Sequence, residues 1–203
     1  MILHRRDYPL LGFLQECNKT SLEKKILDCG AGGRTPPLAI FYREGYKTFG
    51  IDISETQIKL ANNFAIEHNM KFNIIKGDMR KLPYDDASFS FVFSHHTIYH
   101  MLKIDIANAM KEMTRVLRSG GLLFVNFPSV DSASYGEGEK LGEGEYQQVE
   151  RNSEKVIHSY FGDNEADVFF EKLLILSKNK WKLQINRGWS DGISMIEYVV
   201  QKK

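Results

Sequence analysis

The sequence predicts an α/β fold: a mostly parallel sheet with helices on both faces, finished by an antiparallel hairpin. Two patterns predict it. Five short apolar runs, ending near residues 28, 51, 75, 94 and 127, are interleaved with stretches of helical spacing or with turns. Strands that alternate with helices pair in parallel through right-handed crossovers. Beyond these, Trp181 to Gly188 and Ser194 to Gln201 alternate in polarity around Trp189-Ser190-Asp191-Gly192, the pattern of a hairpin. At 203 residues one domain, 1–203, is the default.

Each element has its own signal. Residues 1–20 read as a small helical cover, in which Tyr8 and Phe13 face a site or simply pack. Lys25 to Asp28 is a buried strand that breaks into Gly30, Gly32 and Gly33. Thr35, Pro36 and Pro37 open a helix, since proline is tolerated in a first turn. A second strand, Thr48 to Ile51, leads to Ser54, an N-cap before Ile58, Leu60, Ala61, Phe64 and Ala65 at helical spacing. Phe72 to Ile75 and Ser88 to Ser94 are strands three and four. Ile104 to Leu117 is a helix, Arg118-Ser119-Gly120-Gly121 its stop and turn, and Leu122 to Phe127 a fifth strand. Residues 128–165 depart from the alternation. They are polar and glycine-rich, with Glu145 to Glu150 and Lys155 to Phe161 forming a hairpin pattern, either a lid over the site or a solvated excursion. Glu137, Glu139, Glu143 and Glu145 there would suit a cationic or amine-bearing ligand, or form a wet face. Glu165 to Ser177 returns to helix through Val168, Phe169, Leu173 and Leu176.

The chemistry concentrates at strand tips. Asp28 precedes the glycine turn, Asp52 follows 24 positions later at the tip of the second strand, and Asp78 follows the third after another 26. A glycine turn between strand and helix makes a nucleotide-type pocket, or only a tight turn. Asp52 can accept two hydrogen bonds from a ribose diol, or act as a second cap. Asp78 can accept from an adenine amine, with Met79 on the ring face. A dinucleotide fingerprint needs a third glycine where Thr35 stands, which argues against a dehydrogenase.

Asp28-x-Gly30-x-Gly32, Gly50-Ile51-Asp52, Lys76-Gly77-Asp78-Met79 and the run Leu82 to Ser90 together resemble the class I S-adenosylmethionine-dependent methyltransferases over residues 25 to 127. Arg34 stands where that family has its third glycine, and Ser90 where it commonly has aspartate. The resemblance implies a Rossmann-like, doubly wound, seven-stranded sheet and S-adenosylmethionine as methyl donor, with S-adenosylhomocysteine as product. It implies donor contacts from Asp28, Gly30, Ala31, Gly32, Asp52, Ile53, Gln57, Asp78, Met79 and Ser94.

Methyl transfer from a sulfonium needs alignment first and a base only for a protonated acceptor. The residues past the fourth strand offer His95 and His96 as bases and Tyr99 and His100 as acceptor contacts, or they only shape the pocket. No metal site is expected there, since no carboxylate partner is near in sequence. Lys plus Arg total 27 against 26 Asp plus Glu, so no overall field favours nucleic acid or a membrane surface. Cys17 and Cys29 make no disulfide framework, and the basic start with Pro9 and Gly12 makes no signal peptide. The expectation is a cytoplasmic enzyme acting on a small molecule, or a non-catalytic donor-binding protein of the same fold.

Overall fold

The computed structural model describes residues 8–149, 153–183 and 192–203. Seven strands form the main sheet: β1 Lys25–Cys29, β2 Lys47–Asp52, β3 Ile74–Lys76, β4 Phe89–Ser94, β5 Leu117–Pro128, β9 Leu173–Leu183 and β10 Ile193–Lys202. Their order is β3-β2-β1-β4-β5-β10-β9. The first five are parallel, and β10 runs antiparallel to both β5 and β9. The chain order reverses between β1 and β4, so the carboxyl ends of those strands border the crevice where ligands of such sheets bind.

Helices cover both faces. On one, α1 (Tyr8–Asn18) and α2 (Leu38–Arg43) pack Leu10, Phe13, Leu38 and Phe41 against Ile26, Phe91, Phe93 and Phe124. α3 (Glu55–Glu67) adds Ala65 to this face, and the Ser54 side chain caps it by accepting the Gln57 N–H. On the other, α4 (Lys103–Val116) packs Ile106, Met110 and Met113 against Leu27, Val92, Leu123 and Val125. Strand residues therefore alternate between two apolar layers, which is why β4 is buried at every position. Burial of each such large side chain contributes about 1.5–3 kcal/mol. Phe13 is fully buried and packs; the Tyr8 side chain lies outside the described residues. No described helix is long and apolar enough to cross a membrane.

Two local expectations are corrected. Arg118 to Gly121 is not a free turn but part of β5, where Gly120 takes φ +76° and the pairing with β4 slips between Phe89 and Phe91. Glu165 to Ser177 is not one α-helix: Glu165–Phe170 forms a short 3-10 helix, and β9 begins at Leu173. The run Leu173 to Leu176 is continuous rather than helically phased, and β10 supplies partners for it in Lys202, Gln201 and Val200. The hairpin turn expected at 189–192 falls, except for Gly192, outside the described residues.

The segment after β5 is a second sheet of three antiparallel strands, β6 Glu139–Gly142, β7 Glu145–Val149 and β8 Lys155–Ser159. The β7–β8 hairpin was legible; β6 was not. This sheet is fastened to the loop between β4 and α4. The Ser159 N–H donates to the Tyr99 carbonyl at 3.0 Å, and its hydroxyl to the Met101 carbonyl at 2.6 Å. The Lys103 N–H donates to Glu145 at 2.5 Å, while its ammonium binds the Glu143 carbonyl and Glu165. Glu137, Glu139 and Glu143 are exposed, whereas Glu145 is half-buried and accepts the Lys103 N–H.

Candidate active site

The glycine turn is stitched to the tip of β2. Gly30 (φ +107°) and Ala31 both donate to the Ile51 carbonyl, at 2.9 and 3.1 Å. A Cβ on Gly30 would lie 2.3 Å from the Thr97 methyl, so the backbone passes where no side chain fits. The Gly32 N–H donates to Asp52 Oδ2 at 2.9 Å, and the Ser54 N–H to Asp52 Oδ1 at 2.8 Å. Each carboxylate oxygen keeps a second lone pair. The Gly33 N–H reaches the Gln57 carbonyl at 3.0 Å with φ +108°, so Gln57 serves the turn through its backbone. Arg34, in the place of a third glycine, is exposed.

Beside this turn lies a cavity of about 300 Å³. Of the residues predicted to bind, it is lined by Gly30, Asp52, Ile53, Asp78, Met79 and His100. Ile51 and Gly77 also line it, and Thr97, Met101, Arg80, Asp105 and Ile157, a β8 residue, complete its wall; these last five were not foreseen. Arg80 grips both oxygens of Asp78, with contacts of 2.6 to 3.0 Å, and reaches Asp105 at 3.0 Å. This hydrogen-bonded guanidinium holds the Asp78 carboxyl below the usual carboxylate range. The Arg80 N–H also donates to Asp78 Oδ1 at 2.8 Å, so an adenine amine reaching Asp78 would have to share it with Arg80.

Asp28, Ala31, Gly32, Gln57, Ser94, His95, His96 and Tyr99 do not line this cavity. Asp28 is 1% exposed, and its Oδ2 has no hydrogen-bond partner among the described residues. Burial pushes its carboxyl well up, and the charge of Asp52 adds to the shift. An orphaned buried acid behind a glycine cradle fits a ligand whose nearest group is cationic. Ser94 donates its hydroxyl to the Cys29 carbonyl at 2.7 Å and so ties the tips of β4 and β1 together.

The histidines sit past β4. His95 is buried against Phe124 and the ring of His96. His96 has φ +55°, unusual for a residue with a Cβ, and its N–H donates to Asn126 Oδ1 at 2.8 Å. Since that N–H can only donate, the Asn126 amide is oriented: its NH₂ faces His96 Nε2 at 3.4 Å. Tyr99 Oη lies 3.5 Å from His96 Nδ1. The rings of Tyr99, His100 and His158 meet toward the small sheet, tilted at 4.4 Å for Tyr99–His100 and edge to face at 4.7 Å for His100–His158. Asn126 and His158 were invisible in the sequence, because neither stands in a motif and only the register brings them here.

Residues 27–125 match the family model described as a methyltransferase domain. The chain is 33% identical over 101 residues to 27-O-demethylrifamycin SV methyltransferase of Amycolatopsis mediterranei, covering 49% of this chain and 36% of that protein. It is 35% identical over 108 residues to ajmaline N-methyltransferase of Rauvolfia serpentina, covering 50% of this chain and 35% of that protein. The matched region thus spans about a third of these relatives' length. In structure, the chain superposes on an S-adenosylmethionine-dependent methyltransferase from Methanosarcina mazei with a TM-score of 0.78 at 20% identity, covering 96% of this chain and 97% of that one. It superposes equally well on the PH0226 protein of Pyrococcus horikoshii, with a TM-score of 0.77 at 21% identity over 98% and 90% of the two chains.

Proposed function

We propose, on the premise that this chain belongs to the class I S-adenosylmethionine-dependent methyltransferases, that it moves a methyl group from the sulfonium donor to a nucleophile on a small molecule. The observation that carries this reading is Asp52. Its carboxylate is held from behind by the Gly32 and Ser54 N–H groups and borders the cavity. That arrangement presents a fixed pair of acceptors to a vicinal diol.

The bound donor supplies a methyl carbon already activated for in-line displacement. The chain's residues then have three tasks. Asp52 receives the ribose, Asp78 and Met79 the adenine, and Gly30 to Gly32, backed by the buried Asp28, the cationic aminoacyl end. Ile53 and Gly77 enclose the same cavity. Holding acceptor and donor in line contributes up to about 7–11 kcal/mol. For an acceptor that must lose a proton, His96 and Tyr99 form the candidate relay. His95 packs against Phe124 and the ring of His96, and Tyr99 and His100 contact the acceptor. The β6–β8 sheet closes the acceptor side through Ile157. Two free, buried cysteines fit a reducing compartment, which we read as the cytoplasm.

The test is calorimetry with S-adenosylmethionine and S-adenosylhomocysteine, followed by donor consumption over small-molecule extracts. Binding of both with turnover on an extract supports the reading. Failure to bind either ligand overturns it.

A further inference from the structure

On the face that α1 covers, β5 presents Leu122, Phe124 and Asn126 in alternation, and their partners across on β10 are Gln201, Val199 and Glu197. The apolar pairing of that layer ends at its last step, where Asn126 faces Glu197. Asn126 is also the residue that holds His96, so Glu197 stands one strand beyond the candidate relay.

Glu197 is 6% exposed, and its Oε1 has no hydrogen-bond partner among the described residues. Its cross-strand neighbour on β9 is Asn179, which carries no charge. Lys178 and Lys180 flank Asn179 on the opposite face, where they bind Asp167, Asp131 and Asp163. The Trp181 indole N–H favours the charged form but makes no well-formed hydrogen bond. Burial therefore dominates and pushes the carboxyl up to about 7. A buried oxygen left unsatisfied costs roughly 1–3 kcal/mol, and a perturbed acid paired across from the residue that holds His96 is a candidate for function.

We propose that Glu197 is the acceptor-recognition residue of this site and that the acceptor brings to it a nitrogen bearing a hydrogen. The proposal rests on the methyl-transfer reading above and narrows its substrate class. Nitrogen is favoured over hydroxyl by charge: a protonated amine compensates the buried carboxylate on binding, whereas a neutral hydroxyl leaves the charge in place; the amine then gives one proton to the His96–Tyr99 relay, its freed pair forms the N–C bond, and the sulfonium sulfur leaves with the C–S pair. The exposed glutamates of the 137–143 segment, by contrast, face water.

The experiment compares wild type with Glu197→Gln and Glu197→Ala. Affinity for S-adenosylhomocysteine is measured first, by calorimetry. Methyl transfer from labelled donor is then followed to tryptamine, histamine and benzylamine, with catechol as the oxygen control. The expected result is turnover on at least one amine and none on catechol. Glu197→Gln should raise KM for that amine at least tenfold, with kcat within about threefold and S-adenosylhomocysteine affinity unchanged. An unchanged KM, turnover on catechol alone, or no turnover on any amine by a donor-binding wild type overturns the proposal. A wild type that does not bind S-adenosylhomocysteine overturns the methyl-transfer reading itself. The glutamine variant removes a buried ionisable group and should fold at least as well as wild type, which separates recognition from stability.

Discussion

The Gly32 N–H and the Asp52 carboxylate are joined at 2.9 Å, and this bond makes the glycine turn and the tip of β2 one rigid unit. The turn is therefore shaped by the same residue that is assigned to the donor ribose.

Asp52→Ala removes the diol acceptor and frees the N–H groups of Gly32 and Ser54 together. S-adenosylhomocysteine affinity measured by calorimetry should fall at least tenfold, about 1.4 kcal/mol or more. An unchanged affinity would remove the ribose assignment.

Gly30→Ala places a Cβ 2.3 Å from the Thr97 methyl at φ +107°. Crowding of this kind costs about 1–3 kcal/mol, and the backbone conformation adds strain. The thermal midpoint should drop, and adding Thr97→Gly should recover only part of the loss, since the positive φ remains. Full recovery would show that crowding alone matters.

Glu197 makes stability depend on pH. Its carboxyl is raised from 4.5 to about 7 in the folded chain, so the folded state binds more protons than the unfolded state between those values. Stability should accordingly fall as pH rises from about 4.5 to about 7, by on the order of 3 kcal/mol, and stay low above. Glu197→Gln should remove this slope and be the more stable protein at pH 8, as read by denaturant unfolding across pH. A wild-type curve with no such decline relative to the variant would contradict the burial argument.

Asn126→Ala strips the acceptor from the His96 N–H, at a position already strained by φ +55°. The expected destabilisation is about 1–3 kcal/mol. Chemical denaturation would detect it, and a change below about 0.5 kcal/mol would mean that the loop is held elsewhere.

Legibility followed locality. Asp28, Asp52 and Asp78 could be placed at strand tips because each follows an apolar run directly, and the structure sets Asp52 and Asp78 on one cavity wall. Ser54 was readable as a cap from its place before a periodic stretch. The stretch 165–177 misled because Val168 and Phe169 fit a helical face, while Leu173 to Leu176 form a run that either element accepts; pairing with β10 decided it. Arg80 stands two residues from Asp78, and no motif marks it as the partner of that acid. Asn126 and Glu197 carry no motif, and their meaning comes from being paired across two strands that are distant in sequence.

The small sheet is anchored to residues 99, 101 and 103 by hydrogen bonds to backbone atoms. Ser159 and Glu145 make these anchors, and the side chains of Ile157 and His158 make none of them. Ile157 and His158 can therefore be varied as cassette positions on a constant frame, so that changing the compounds this protein accepts becomes a problem of side-chain choice rather than of loop redesign.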